Sequence, residues 1–292
     1  MINKLNKVFK NSSKITIDDN TKIVIMSDCH RGSGNNFDNF IKNKVIFEKA
    51  LTHYYNKKFI YIELGDGDEM WEVKNYKDIV NVNLSTFKIL KKFHDSNRLI
   101  MLYGNHDLVK KHSNVMNLNF SSYYNKKINK TEPLLGGLTA KESIILDYKG
   151  NDIFLIHGHQ VDFINSTLWS ISRILVRYVW KNIEHLLIKD PTGNAKNNTV
   201  SKTIEKKLEE WSTKNNKIII AGHTHRPIFP KAGKGKYFND GSCVHPNGIT
   251  CLEIENGEIT LVKWYFKENN KNIIEKTVIE KKEKINNYFN NT

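Results

Sequence analysis

Cysteine is scarce in this chain. Its 292 residues hold three, Cys29, Cys243 and Cys251, and none forms a C-x-x-C pair. So sparse and odd a set offers no disulfide framework and predicts a reducing, cytoplasmic setting. Long apolar runs are missing too. No stretch reaches the roughly 18 residues that a spanning helix needs. The nearest candidate, Leu168–Ile188, is interrupted by Arg173, Arg177, Lys181 and Glu184. Met1–Lys22 is rich in Lys and Asn and has no apolar core of the secretory kind, so no signal peptide is expected. No internal repeat is found.

What the chain has is charge. With 39% hydrophobic and 26% charged residues it reads as globular, and it is long enough for one large α/β domain. The net charge of +14 favours polyanionic partners such as phosphorylated substrates, nucleic acid or anionic membrane. The same excess is expected from an AT-rich genome that crowds a chain with Lys, Asn and Ile, so charge alone does not define a nucleic-acid surface.

Short β-branched runs alternate with helical patterns in the first half. Lys22–Met26, Phe59–Leu64 and Leu99–Tyr103 read as strands, and Asn36–Tyr55 and Ile79–His94 as helices, which predicts β-α-β units. Ser143–Leu146 and Ile153–Ile156 flank a hairpin turn. Ile218–Ala221 is a further strand, and Ile228–Phe266 reads as short antiparallel strands. A helical insertion is predicted over 162–213, broken near Pro191–Asn198, and the tail at 270–292 as a fraying peripheral helix. Two sheets flanked by helices fit these elements. The expected fold is a four-layer α/β/β/α sandwich with two mixed sheets and a helical lid insertion, a single domain over 1–292.

Five polar blocks recur, most of them directly after an apolar run: Asp28-Cys29-His30, Gly65-Asp66, Gly104-Asn105-His106-Asp107, His157-Gly158-His159 and Gly222-His223-Thr224-His225. In an extended segment residues i and i+2 face one side, so Asp28 and His30 reach one ion together, as do His223 and His225. Asp66 has two oxygens with which to bridge two ions. Asn105 offers an amide oxygen and His157 an imidazole. Mixed N and O donors suit Mn²⁺, Fe, Zn²⁺ or Ni²⁺ rather than Ca²⁺. Each block alone is weak, because Gly-Asp is a common turn and Asn or Asp often caps a helix. Their order and shared placement at strand exits make a joint coincidence improbable.

The five blocks resemble the pattern of the calcineurin-like metallophosphoesterases. That resemblance implies two metal ions, Mn²⁺ first among the candidates. Asp28, His30, Asp66 and His225 would hold one. Asp66, Asn105, His157 and His223 would hold the other. It implies that a hydroxide bridging the ions attacks phosphorus in line, with His106 as general acid, its ring oriented by Asp107 or by an acid near Asp68. His159 and the turn Asn239-Asp240-Gly241-Ser242 are expected to support the site from behind. The substrate-clamping arginines of Ser/Thr protein phosphatases are missing. Arg31 is the nearest phosphate contact, with Arg173, Arg177 and Lys181 on one face of the insertion as further candidates.

In outline, with a helical insertion after the His-Gly block, the chain is similar to UDP-2,3-diacylglucosamine pyrophosphatases. The expected substrate is then a phosphorylated small molecule, a nucleotide or a lipid-linked diphosphate, with peripheral membrane contact through the insertion. Alternatives are a nuclease acting on DNA or RNA, a Ser/Thr-type protein phosphatase and, less favoured, a non-enzymatic scaffold.

Overall fold

A computed structural model describes residues 2–35, 38–162, 198–268, 270–280 and 282–289. The strands are β1 (Ser13–Ile17), β2 (Ile23–Met26), β3 (Ile60–Leu64), β4 (Leu99–Leu102), β5 (Ser122–Asn125), β6 (Lys130–Pro133), β7 (Ala140–Lys141), β8 (Ser143–Tyr148), β9 (Asn151–Ile156), β10 (Ile218–Ala221), β11 (Tyr237–Asn239), β12 (Ile249–Glu255), β13 (Glu258–Lys267), β14 (Asn270–Val278) and β15 (Glu283–Lys284). The α-helices among the described residues are α1 (Ile2–Lys10), α2 (Lys44–Asn56), α3 (Tyr76–Val82), α4 (Leu84–Asp95), α5 (Ser113–Phe120) and α6 (Asn198–Asn215).

Two mixed sheets form the centre. One runs β1-β8-β9-β10-β11, and the other β14-β13-β12-β2-β3-β4-β7 with β15 added beside β13. The β2-β3-β4 segment is parallel, as the β-α-β pattern predicts. Strand alternation then builds the layers. Ile23 and Ile25 of β2 join Ile218 and Ile220 of β10 in a core between the sheets. Val24 and Met26 face a second core with α2 and α4, while Ile219 and Ala221 face a third with α1 and α6. The result is the expected α/β/β/α sandwich.

Several elements differ from expectation. The single helix expected over Ile79–His94 is two, α3 and α4, divided at Asn83. That buried side chain donates to the carbonyls of Ile79 and Gly32, each at 3.0 Å, so the break holds the Gly32 loop. β11 pairs parallel to β10 and meets Ile228 through an isolated antiparallel bridge, while continuous antiparallel pairing starts with β12. Of the predicted insertion, α6 is a core helix with Leu208 and Trp211 buried on the five-stranded sheet. Residues 163–197 lie outside the described residues.

The tail is not a peripheral helix. β14 extends the larger sheet against β13, and Ile285 and Tyr288 are buried in the core between the sheets. Tyr288 donates to the Pro230 carbonyl at 2.8 Å and packs edge-on against Phe238. Tyr288→Ala is therefore expected to cost about 3–5 kcal/mol in denaturant unfolding. A loss below about 0.5 kcal/mol, the range for surface positions, would mean that the tail is peripheral after all.

Candidate metal centre

The five blocks stand at the ends of β2, β3, β4, β9 and β10. There the chain leaves a buried strand and must turn at once. Five of the predicted ligands do so with positive φ: Asp28 at 51°, His30 at 48°, Asp66 at 50°, His223 at 67° and His225 at 55°. Their paired side chains thus converge through left-handed turns, not through the extended backbone that the i, i+2 rule assumed. Left-handed backbone is costly for residues with a Cβ, and such strain collects at functional sites. Hydrogen bonds hold it. Asp28 N–H donates to Gly65 O at 3.1 Å and His30 N–H to Asp66 O at 2.9 Å, stitching the β2 exit to the β3 exit.

The side chains converge in groups. Asp28, His30 and His225 each bring a ligand atom to within 4.8 Å of the others, and Asp66, His157 and His223 do the same. In the first group His225 Nε2 lies 3.0 Å and His30 Nε2 3.6 Å from Asp28 Oδ1. Asp66 Oδ2 stands between the groups, 3.1 Å from His157 Nε2 and 3.9 Å from His30 Nε2. Its other oxygen accepts from His106 N–H at 2.8 Å. One oxygen of Asp66, not two, therefore faces both groups.

The donor set fits metal ions. Asp28 Oδ1, His30 Nε2, Asn105 Oδ1 and His157 Nε2 are buried and have no hydrogen-bond partner. Such orphans are costly unless something else binds them. The opposite ring nitrogens are engaged: His157 Nδ1 with the Leu64 carbonyl at 2.9 Å, His30 Nδ1 with Glu69 at 3.1 Å and His223 Nε2 with Asp162 at 3.2 Å. A second partner of this kind fixes the tautomer and the aim of a metal-binding ring. Two glycines of the blocks make the approach possible. A Cβ on Gly104 would lie 2.1 Å from Asp66 Oδ1, and one on Gly222 2.1 Å from Ser27 Oγ.

His106 sits beside these groups with its ring stacked on Trp71, centroids 4.1 Å apart. Its Nδ1 meets Glu69 Oε2 at 2.8 Å. Burial works against the His106 cation, but Glu69 and Asp66 outweigh it and hold the ring above the ordinary imidazole range. Glu69 itself, penalised by burial, is drawn down to about 2 by His106 and His30.

Asp107 does not orient His106. It is buried, accepts from Gly104 N–H at 2.7 Å and Gly67 N–H at 3.0 Å, and pairs with Lys110 at 2.7 Å. Arg31 is no phosphate contact either. It is wholly buried, donating to both oxygens of Glu63 at 2.7 and 2.8 Å and to Asp68 at 2.7 Å. Lys110 closes the network on Asp68 at 2.6 Å. These five charges lie under the metal groups and tie the exits of β2, β3 and β4 together. Arg173, Arg177 and Lys181 lie outside the described residues.

The sequence model of the calcineurin-like phosphoesterase superfamily domain matches residues 21–257. The chain belongs to that superfamily. It is accordingly a metal-dependent hydrolase of phosphoester bonds. No curated protein matches it significantly. Solved structures with a similar fold include a cold-active protein-tyrosine phosphatase of a psychrophilic Shewanella species, with 16% identity over 89% of this chain and 81% of that one at a TM-score of 0.42. An archaeal phosphodiesterase is 17% identical over 89% and 100% at 0.35. Zinc-bound Vps29 from Entamoeba histolytica is 15% identical over 89% and 98% at 0.39. Likenesses this loose do not bear on substrate.

Within the superfamily's pattern, reading the blocks alone missed Asp162 and Trp71 and left Glu69 as an unnamed acid near Asp68. Glu69 carried a signal, an acid three residues after Asp66. Asp162 carried none.

The geometry also fixes how metal affinity depends on pH. In the metal-free chain burial disfavours the His157 cation, but Asp66 and Asp28 prevail and raise its pKa to about 9. A metal takes only the neutral ring, so below that pH the ion must displace a proton. Apparent metal affinity should therefore rise as pH approaches about 9, with proton release visible in calorimetric titrations in buffers of different ionisation enthalpy. Affinity that is flat with pH, with no proton released, contradicts this account.

Proposed function

We propose that the chain is a dinuclear metallophosphoesterase that cleaves a phosphate ester or pyrophosphate bond in a small phosphorylated compound. The observation that carries this reading is Asp66 Oδ2, which faces both ligand groups at once. Asp28, His30 and His225 complete one ion's set, and Asn105, His157 and His223 the other's. Oxygen and imidazole donors without thiolate favour Mn²⁺, with Fe or Zn²⁺ as alternatives. Two such ions, when bound, lower the pKa of water and clamp phosphoryl oxygens.

The chain's own residues supply the rest. The Glu69 contact at Nδ1 leaves His106 Nε2 as its working nitrogen. The raised pKa keeps a proton there near neutral pH. That proton goes to the departing oxygen as the P–O bond breaks. Trp71 fixes the plane of the ring through stacking and is itself fixed by donating to the Asn105 carbonyl at 2.7 Å. The acid is thereby tied to the residue that carries one of the metal ligands. A nucleotide or lipid-linked diphosphate of the UDP-sugar type remains the leading substrate class, supported by the helical insertion read from the sequence and the net charge of +14.

A screen of Mn²⁺-loaded protein against p-nitrophenyl phosphate, its bis-ester and UDP-linked lipids tests this reading. His106→Asn should lower kcat about 10²–10⁴-fold with bound metal unchanged. Asp66→Asn should lose metal and activity together. A metal-loaded protein that cleaves none of these compounds, or a His106→Asn variant with wild-type kcat, contradicts it.

A further inference from the structure

Behind Asp28 lies a chain of buried polar groups that the mechanism above does not use. Ser27 Oγ is 2.5 Å from Asp28 Oδ2 and 2.8 Å from Asp240 Oδ1. All three residues are fully buried. Asp28 Oδ2 also accepts from His223 N–H at 2.8 Å. Asp240 Oδ2 is buried with no partner.

Counting hydrogens decides the order of donation. The Ser27 hydroxyl has one hydrogen and two carboxyl groups within bonding distance. If both carboxyls were ionised, one contact would set two lone pairs against each other. One carboxyl must therefore hold a proton. Asp28 is the anion: its other oxygen faces His225, His30 and His157 at 3.0, 3.6 and 3.9 Å. No cation pairs with Asp240 among the described residues, and its second oxygen is buried and unpaired, which a neutral acid tolerates far better than an anion does. Burial first, and then the Asp28 charge, push the Asp240 carboxyl well above its usual range.

We propose that Ser27 and Asp240 are positioning residues for the metal centre: Asp240, a neutral acid, donates to Ser27, and Ser27 donates to Asp28, leaving only Asp28 Oδ1 for the metal. The proposal rests on the two-metal reading above. The clamp also spans the sandwich. Ser27 follows β2 of the larger sheet, while Asp240 follows β11 of the smaller one, whose partner β10 leads to His223. Its bonds thus fix the distance between the loops that supply Asp28 and His223. Gly222 is part of the same device, since any Cβ there would collide with Ser27 Oγ.

Three variants and two measurements test this. Metal affinity is measured calorimetrically with Mn²⁺ alone. Asp240→Asn keeps a neutral donor at the same place and should bind within about threefold of wild type. Ser27→Ala and Asp240→Ala should each weaken binding about 10–100-fold, as losses of outer partners do. Infrared difference spectra of metal-free wild type against Asp240→Asn should show a buried carboxylic-acid C=O band that the variant lacks, and this holds whether or not the alanine variants fold. Asp240→Asn binding as poorly as Asp240→Ala, unchanged affinity in a folded Ser27→Ala, or no acid band overturns the proposal. Wild-type protein that binds none of Mn²⁺, Fe²⁺ and Zn²⁺ overturns the two-metal reading and the positioning role with it, and the infrared band then tells that failure from failure of the hydrogen-bond chain.

Discussion

Left-handed backbone at five ligand positions is the constraint on which the site depends. Asp28, His30, Asp66, His223 and His225 each stand where a residue with a Cβ is disfavoured, at a cost on the order of 1–3 kcal/mol apiece. Asp and His tolerate this conformation better than most residues with a Cβ, but that tolerance alone does not select it. It persists because backbone bonds between the β2 and β3 exits hold the turns. The strain places ligands from two sheets around Asp66 Oδ2. An extended exit would set the same side chains perpendicular to the strand instead.

Beneath the ligands, the Arg31–Glu63–Asp68–Lys110–Asp107 network performs the complementary task. Two cations against three acids are sealed from water, an arrangement that adds little net stability but fails badly when one member is removed. Its value lies in geometry. Asp107 draws the Gly67 and Gly104 amides to a single carboxylate, so the loops that carry Asp66 and Asn105 cannot drift apart. Above it, Glu69 touches a metal-facing ring and the acid ring with the same oxygen, which couples the position of His30 to the protonation of His106.

The sequence made some of this legible and hid the rest for physical reasons. Ordered blocks behind apolar runs pointed to the seven side chains proposed as ligands, six of which the structure gathers into two groups, because a strand exit is one of the few places where a polar group is both rigid and reachable. Backbone sign was hidden. Asn256-Gly257 announces a positive-φ turn by composition, whereas Asp28 and His30 do not. Adjacency misled at Asp107 and Arg31. Each follows a site histidine directly, yet points into the buried charge network. Asp68 and Glu69 divide in the same way: Asp68 meets Arg31 below and Glu69 meets His106 above. The strand at Asn270–Val278 was missed because this edge segment is too polar to show a strand's apolar alternation.

Anomalous diffraction from crystals grown with Mn²⁺ would locate the ions themselves. Two anomalous peaks are expected to flank Asp66 Oδ2, one enclosed by Asp28, His30 and His225, the other by Asn105, His157 and His223. A single peak, or peaks away from Asp66, would contradict the two-metal reading.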